Sequence, residues 1–246
     1  MEKKIGYEFM QATKRHISLS AQQRGEPQPP LEWAAPADAQ RTALPDPKGL
    51  KMPAADLRAI IEQRRSVRKY SGESLTLGEL FYLLWMTQGV QEMTDRPITM
   101  RTVPSAGARH AFETFVLVNR VKGLTPGLYR FLASEHALIL MNDVDEIADV
   151  LVDACFGQKM VGKAAVSFFW VAAVDRMFWR YDERGYRYLH LDAGHVCQNL
   201  YLAGESLGCG TCAIAAFDDD LLNEALALDG KEMFAVYAAS LGKKAM

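Results

Sequence analysis

Seven consecutive residues, Arg64-Arg65-Ser66-Val67-Arg68-Lys69-Tyr70, hold four cations, a hydroxyl and a phenol ring. An arginine forks two donors onto one phosphate, and a serine beside it adds a short neutral donor. The run therefore suits a phosphorylated ligand held end-on. It also suits a plainer role. Leu57, Ile60 and Ile61 lie at helical spacing just before it. Cations at a helix C-terminus stabilise by about 0.3–1 kcal/mol each, and basic runs are commonly solvated.

A second stretch, Pro104-Ser105-Ala106-Gly107-Ala108-Arg109-His110, leaves its backbone nearly bare. A flat ring can lie directly on such a segment, and a turn beginning at Ser105 would aim N–H groups at a polar ring edge. The alternative is a tight turn ahead of a strand. Cys209-Gly210-Thr211-Cys212 is a third candidate, as a thiol pair or half a metal site. There is no second C-x-x-C, and Cys155 and Cys197 lie far off. The motif opens an apolar strand, which points to buried core thiols. His190 and His195, five apart, are poorly phased to share a helix face. His190 reads as structural or interfacial and His195 as a pocket-lining candidate. Trp33, Trp85, Trp170 and Trp179 read as core residues.

The elements that must position these stretches follow from periodicity. Ile5, Phe9, Ala12, His16 and Leu19 predict a helix over residues 5–22. Residues 25–53 hold seven prolines and two glycines, which makes them an extended arm or linker. A helix over 54–63 leads into the basic run. Thr76 and Glu79 form a capping box for the next helix, 77–89, with Leu77, Leu80, Phe81, Leu84 and Trp85 on one face. Residues 90–103 read as a polar loop. Strands are predicted at 112–118, 127–131, 137–141, 208–216 and 234–241, and 164–174 is apolar enough for a buried central strand. Helices are predicted at 144–156 and 186–207, with another starting at Asp218-Asp219-Asp220. Ala193-Gly194 and Ala203-Gly204 leave room for a close neighbour, which points to tight helix packing, including packing between subunits. The interspersed order, without a βαβ rhythm, predicts an α+β fold with a central, mostly antiparallel sheet flanked by helices.

Composition bounds the function. The net charge of −2 offers no basic excess for nucleic acid. The longest apolar run is too short for a membrane span. The N-terminal residues lack an apolar signal core, and four cysteines do not make a disulfide scaffold. A cytoplasmic location is expected.

Taken together, Arg64-Arg65-Ser66-Val67-Arg68-x-Tyr70 and Pro104-Ser105-Ala106-Gly107-Ala108-Arg109-His110 resemble the FMN-dependent nitroreductase superfamily. The match is closest to its SagB-type dehydrogenase branch, which includes thiazoline and oxazoline oxidases. Leu84-Trp85-Met86-Thr87-Gln88-Gly89, Arg101-Thr102-Val103, Tyr186-Arg187-Tyr188, Ala193-Gly194-His195 and Gln198-Asn199-Leu200 match further. The resemblance runs from about residue 56 to the C-terminus, and Thr13-Lys14-Arg15-His16 before a Pro-rich arm is also similar to that branch.

The resemblance implies a nitroreductase-like, homodimeric fold with FMN at the subunit interface. It divides the chain into an N-terminal helix and arm (1–53) and an FMN-binding domain (54–246). Arg64, Arg65, Ser66 and Arg68 would hold the phosphate, ribityl chain and pyrimidine edge. Pro104, Ser105, Ala106 and Gly107 would lie against the isoalloxazine. Ile214, Ala215 and Ala216 would offer backbone N–H groups to N5 and O4 from the other subunit's side, and Lys243 and Lys244 would complete the phosphate site. Many nitroreductases carry Asn where Ala108 stands, so Arg109 or Gln88 would take over that contact. The implied activity passes hydride from NAD(P)H through flavin N5 to a nitro compound, quinone or other small acceptor, by ping-pong exchange, with no catalytic protein nucleophile and no metal. An azoline-type dehydrogenase acting on a modified peptide is the alternative. Azoline dehydrogenases are associated with a Lys-Tyr pair, and the nearest residues here are Arg180-Tyr181. Arginine stays protonated and is a poor base, so Tyr181 would have to act as acid or base, or else is a surface residue of a helix. A flavin-binding module without turnover, or a thiol-redox protein using Cys209 and Cys212, are readings of another class.

Overall fold

The computed structural model describes residues 4–14, 19–46, 49, 54–95 and 97–245. Its centre is a sheet of seven strands in the order β1-β8-β7-β5-β9-β11-β10, every neighbouring pair antiparallel. These are β1 (Arg41–Ala43), β5 (Phe112–Val118), β7 (Gly127–Leu132), β8 (Ala137–Asn142), β9 (Val166–Ala173), β10 (Cys209–Ile214) and β11 (Met233–Lys243). The expected α+β architecture is what the chain adopts. β9 is buried at every position. Its alternate side chains enter two cores, Phe168 and Trp170 in one, Phe169 and Val171 in the other. Helices cover both sheet faces, which is why this strand has no polar face.

The first core packs under α3 (Leu77–Gln88) and α7 (Gly185–Ser206), through Leu80, Phe81 and Leu84 from the former and Leu189, Val196 and Leu200 from the latter. The second packs under α4 (Ile147–Ala154), α5 (Met160–Lys163) and α8 (Asp219–Ala225). α3 starts at the predicted capping box: Thr76 Oγ1 accepts from Glu79 N, and the Glu79 carboxylate accepts from Thr76 N. Thr76 belongs to β2 (Leu75–Thr76), which pairs in parallel with β6 (Val121–Lys122).

Several expectations change. The first helix, α1, runs only over Ile5–Ala12. The Thr13 hydroxyl turns back onto the Phe9 carbonyl at 2.5 Å, a side-chain bond that competes with helix continuation. Residues 15–18, with His16, lie outside the described residues. The stretch predicted as a polar loop forms a small hairpin of β3 (Val90–Met93) and β4 (Thr99–Arg101) apart from the main sheet. The apolar run stops being strand at Ala173, and α6 (Val174–Tyr181) follows directly. The helix before the basic run is α2 (Leu57–Gln63), with Asp56 accepting from Arg58 N and Ala59 N at its start.

Residues 28–44 of the proline-rich segment are an arm laid on its own chain. Trp33 N donates to the buried Glu113 carboxylate at 2.7 Å, beside the buried Arg176–Glu113 ion pair at 2.6 Å. Arg176 Nε donates to Pro30 O, and Ala133 N donates to Glu32. β1 then joins the sheet edge against β8.

Candidate active site

Arg64 ends α2, and residues 66–71 then run beside the ends of β10 and β11. Val67 N donates to Thr211 O and Ser71 N to Lys243 O, both at 2.9 Å. Gly210 permits this approach, because a Cβ there would lie 2.5 Å from Val67 Cβ. Ser66 Oγ shares a 2.9 Å hydrogen bond with the Tyr201 hydroxyl on α7, and the Arg64 guanidinium stands 5.0 Å over the Tyr201 ring. Among the described residues, Arg65 donates only to carbonyls, those of Glu62 and Arg64. Among the described residues no carboxylate pairs with Arg64, Arg65 or Arg68. Three guanidiniums without counter-charge within five residues are a donor set that fits a phosphate dianion.

The Pro104–Ala108 loop is also accessible. It is a short turn in which Gly107 takes φ 58° and Ala108 φ 53°, so the glycine sits where a side chain would be strained. Its expected free N–H groups are only partly free. Ala106 N donates to the Asp192 carboxylate at 3.2–3.3 Å, and the Ser105 hydroxyl accepts from His110 N at 2.9 Å. Burial pushes the Asp192 carboxyl up, and its bonds to Ser105 and Ala106 oppose that. Burial likewise pushes His110 down to about 3, helped by Arg101 and Arg109, so its imidazole is neutral.

The two segments meet α7 at different places. Asp192 and Tyr201 are nine residues apart, which is two and a half turns, so they sit about 14 Å apart along the axis and on opposite flanks. The cationic run and the bare loop therefore touch opposite flanks of α7, the first through Ser66 and Tyr201 and the second through Ala106 and Asp192.

The other predicted residues divide. Gln88 is 2 % exposed and accepts from Arg101 at 3.0 Å, so it is not free to reach a ligand. Arg109 is 4 % exposed. Its Nε donates to Gly107 O, and its guanidinium lies 5.2 Å over the Trp179 ring. Ile214 is buried in the second core, while Ala215 and Ala216 are exposed just beyond β10, with the Ala216 carbonyl accepting from Gln158. Lys243 and Lys244 are not spare cations. Lys243 pairs with Glu79 at 2.5 Å and donates to Leu207 O, and Lys244 pairs with Glu205. A phosphate would have to compete with those carboxylates.

Cys209 belongs to the first core and Cys212 to the second, on opposite faces of the sheet. Both are buried free thiols, and burial pushes Cys209 up to about 11. A residue spacing of three along a strand forbids their joining, which removes the thiol-redox reading. Trp170 alone of the four tryptophans is fully buried. Trp33 and Trp179 instead carry arginines over their rings. Gly204 makes its close contact inside the chain, since a Cβ would lie 2.8 Å from Leu241 Cδ1 and Thr211 Oγ1, whereas Gly194 faces open space.

Arg180 and Tyr181 lie directly against the bare loop. At the end of α6 they cover Gly107: the Tyr181 hydroxyl is against the site of its missing Cβ, and Arg180 Nε is 2.8 Å from it. The Tyr181 ring meets Tyr188 edge-on at 4.8 Å. Beside them opens a cavity of about 400 Å³, lined among others by Lys14, Gln22, Arg180, Tyr181, Arg184 and Tyr188.

An antiparallel seven-stranded sheet between helical layers, with a phosphate-type cationic run along one flank of the long helix, defines an α+β protein of the nitroreductase fold. The chain belongs to the nitroreductase family, whose model matches residues 61–243. Proteins of this family generally bind a flavin, usually FMN, and are generally homodimeric. The chain is 35% identical over 189 residues to a candidate nitroreductase of Methanocaldococcus jannaschii, covering 77% of this chain and 90% of that one. It is 30% identical over 137 residues to the trifolitoxin-processing protein TfxB of Rhizobium leguminosarum bv. trifolii, covering 52% of this chain but only 36% of TfxB. A solved candidate nitroreductase of Anabaena variabilis superposes with a TM-score of 0.69 at 29% identity. That match covers 85% of this chain, which spans only 42% of the Anabaena chain. No helix among the described residues is long and apolar enough to cross a membrane.

Proposed function

We propose that this chain is an FMN-dependent oxidoreductase that passes hydride from NAD(P)H to a small acceptor, such as a nitro compound or quinone. The observation that carries the reading is the uncompensated run Arg64, Arg65, Ser66 and Arg68, which suits the FMN phosphate and ribityl chain. Bound FMN supplies two-electron chemistry at N5, which no side chain here provides. Pro104 to Gly107 would support the ring face. Because the two segments flank α7 on opposite sides, each site would take the cationic run from one protomer and the bare loop from its partner. Ala215 and Ala216, exposed past β10, would face the ring edge. Donor and acceptor would use the same pocket in turn, which is ping-pong exchange.

The reading predicts a yellow protein with absorbance near ~450 nm that NADPH or NADH bleaches, as expected where the cofactor carries the chemistry. A colourless protein that takes up no added FMN would sink it. Arg64→Ala should weaken FMN binding at least tenfold while the melting temperature of the flavin-free protein hardly moves. Equal effects on both would return Arg64 to the role of a helix-end cation.

Azoline-type dehydrogenation of a modified peptide is the second reading, favoured by one observation. The Tyr181 hydroxyl sits on the bare loop, where it could exchange a proton with a bound substrate. The similarity to a toxin-processing protein supports it in part. Bleaching by a thiazoline peptide but not by NAD(P)H would select this reading.

A further inference from the structure

Two guanidiniums converge on the Gly107 loop, and among the described residues neither is drawn into an ion pair. Among the described residues, Arg109 bonds the Gly107 carbonyl and rests on Trp179, and Arg180 rests 5.7 Å over the Tyr181 ring. The two are near enough that Arg180, after burial itself, depresses Arg109. Arg109 is buried while Arg180 is exposed, so the Arg180 guanidinium is the one of the two open to an anion. The neighbouring cavity gives that anion an entrance, with Arg180 on its wall and Lys14 adding a third cation. Arg184, on the same wall, is occupied by the Tyr188 hydroxyl and the Thr13 carbonyl, and Asp182 and Glu183 supply the opposing charge.

We propose that Arg180, backed by Arg109, is a substrate-anchoring residue that binds the carboxylate of an anionic, flat small-molecule acceptor. The adjoining Tyr181 and Tyr188 rings, set edge to face, would hold the acceptor's apolar ring. This rests on the oxidoreductase reading only in calling the ligand an acceptor; the anion site belongs to residues of this chain alone. It also accounts for an arginine beside Tyr181, since a guanidinium cannot serve as a base but can fork onto a carboxylate.

The test compares benzoate with benzyl alcohol on the FMN-loaded and FMN-free protein, followed by tryptophan fluorescence and melting temperature. Benzoate should bind at least tenfold more tightly than the alcohol, and Arg180→Gln should abolish that preference while Arg180→Lys keeps part of it. In turnover, 4-nitrobenzoate should show a KM at least tenfold below that of 4-nitrobenzyl alcohol, with the difference lost in Arg180→Gln and kcat less affected. A preference that survives Arg180→Gln, or none in the wild type, overturns the proposal. So does benzoate binding that FMN displaces, because the pair would then serve the cofactor. A protein that takes up no flavin but still prefers benzoate through Arg180 would sink the oxidoreductase reading and leave the anion site standing.

Discussion

His110 shows how much one buried ring can report. It is 6 % exposed, takes φ 45°, and lies where burial, Arg101 and Arg109 all oppose its charge, so its pKa falls from 6.5 to about 3. The unfolded chain binds a proton here as pH drops below 6.5, and the folded chain does not until about 3. The stability associated with this ring is therefore whole above pH 6.5 and is lost as pH falls towards 3. His110→Asn, which tolerates the left-handed backbone, should flatten that part of the stability–pH curve in urea titrations at fixed temperature. An unchanged slope would mean the imidazole is charged in the fold. Arg101 beside it is pushed down to about 10 by burial, countered by Glu32 and Glu113. It remains a cation, and its bond to Gln88 explains why that glutamine is held away from any ligand.

At the scale of the element, α3 ties the site's frame together through its first turn. Glu79 caps the helix and also pairs with Lys243 at the end of β11, the strand beside which the cationic run lies. Burial raises its pKa, but the bonds to Lys243 and Thr76 outweigh that, and the net shift is down. Its contribution is thus present above the ordinary value of 4.5 and is lost as pH falls through the lower, folded value. Glu79→Gln can keep much of the cap but not the ion pair, so its melting deficit should close below pH 4.5. Thr76→Ala should cost about 1 kcal/mol near neutral pH, and part of that cost should fade in acid because the Thr76 hydroxyl also donates to the Glu79 carboxylate. A deficit of Glu79→Gln that persists in acid would deny the pair a role. This helix was legible in the sequence because its signals are local: a capping box, an apolar face and Gly89 as stop. The strands of the main sheet were legible for the same reason. The β3/β4 hairpin was not, because its residues are mostly exposed and polar and no core imposes alternation on them. Nor was the strand-to-helix switch at Ala173, since Val174 prolongs the apolar run. The two segments of the candidate site could be read from residue types alone. Their placement could not, because it depends on which flank of α7 each one touches. The stacking of Arg109 on Trp179 joins residues too distant in sequence for any local pattern to show.

For the whole molecule, the half-turn between Asp192 and Tyr201 has a consequence that can be measured. If one protomer supplies residues 64–68 and its partner residues 104–107, a dimer with two-fold symmetry has two equivalent composite sites. Arg64→Glu/Arg68→Glu should then lose FMN through the cationic run, and Ala106→Glu should lose it through the loop. In a mixed dimer both lesions fall in one site, and the other site is built wholly of unaltered segments. Random exchange of subunits makes about half the dimers mixed, so roughly a quarter of all sites should recover flavin, as two-fold symmetry requires. Unfolding and refolding the two variants together, with added FMN, should restore yellow colour to about that extent, while each refolded alone stays pale. Far-UV circular dichroism of each variant shows whether the fold survives the substitution. A mixture of folded, dimeric variants that remains colourless would mean that both segments serve the same site within one chain. The assignment of the two segments to different protomers would then fall.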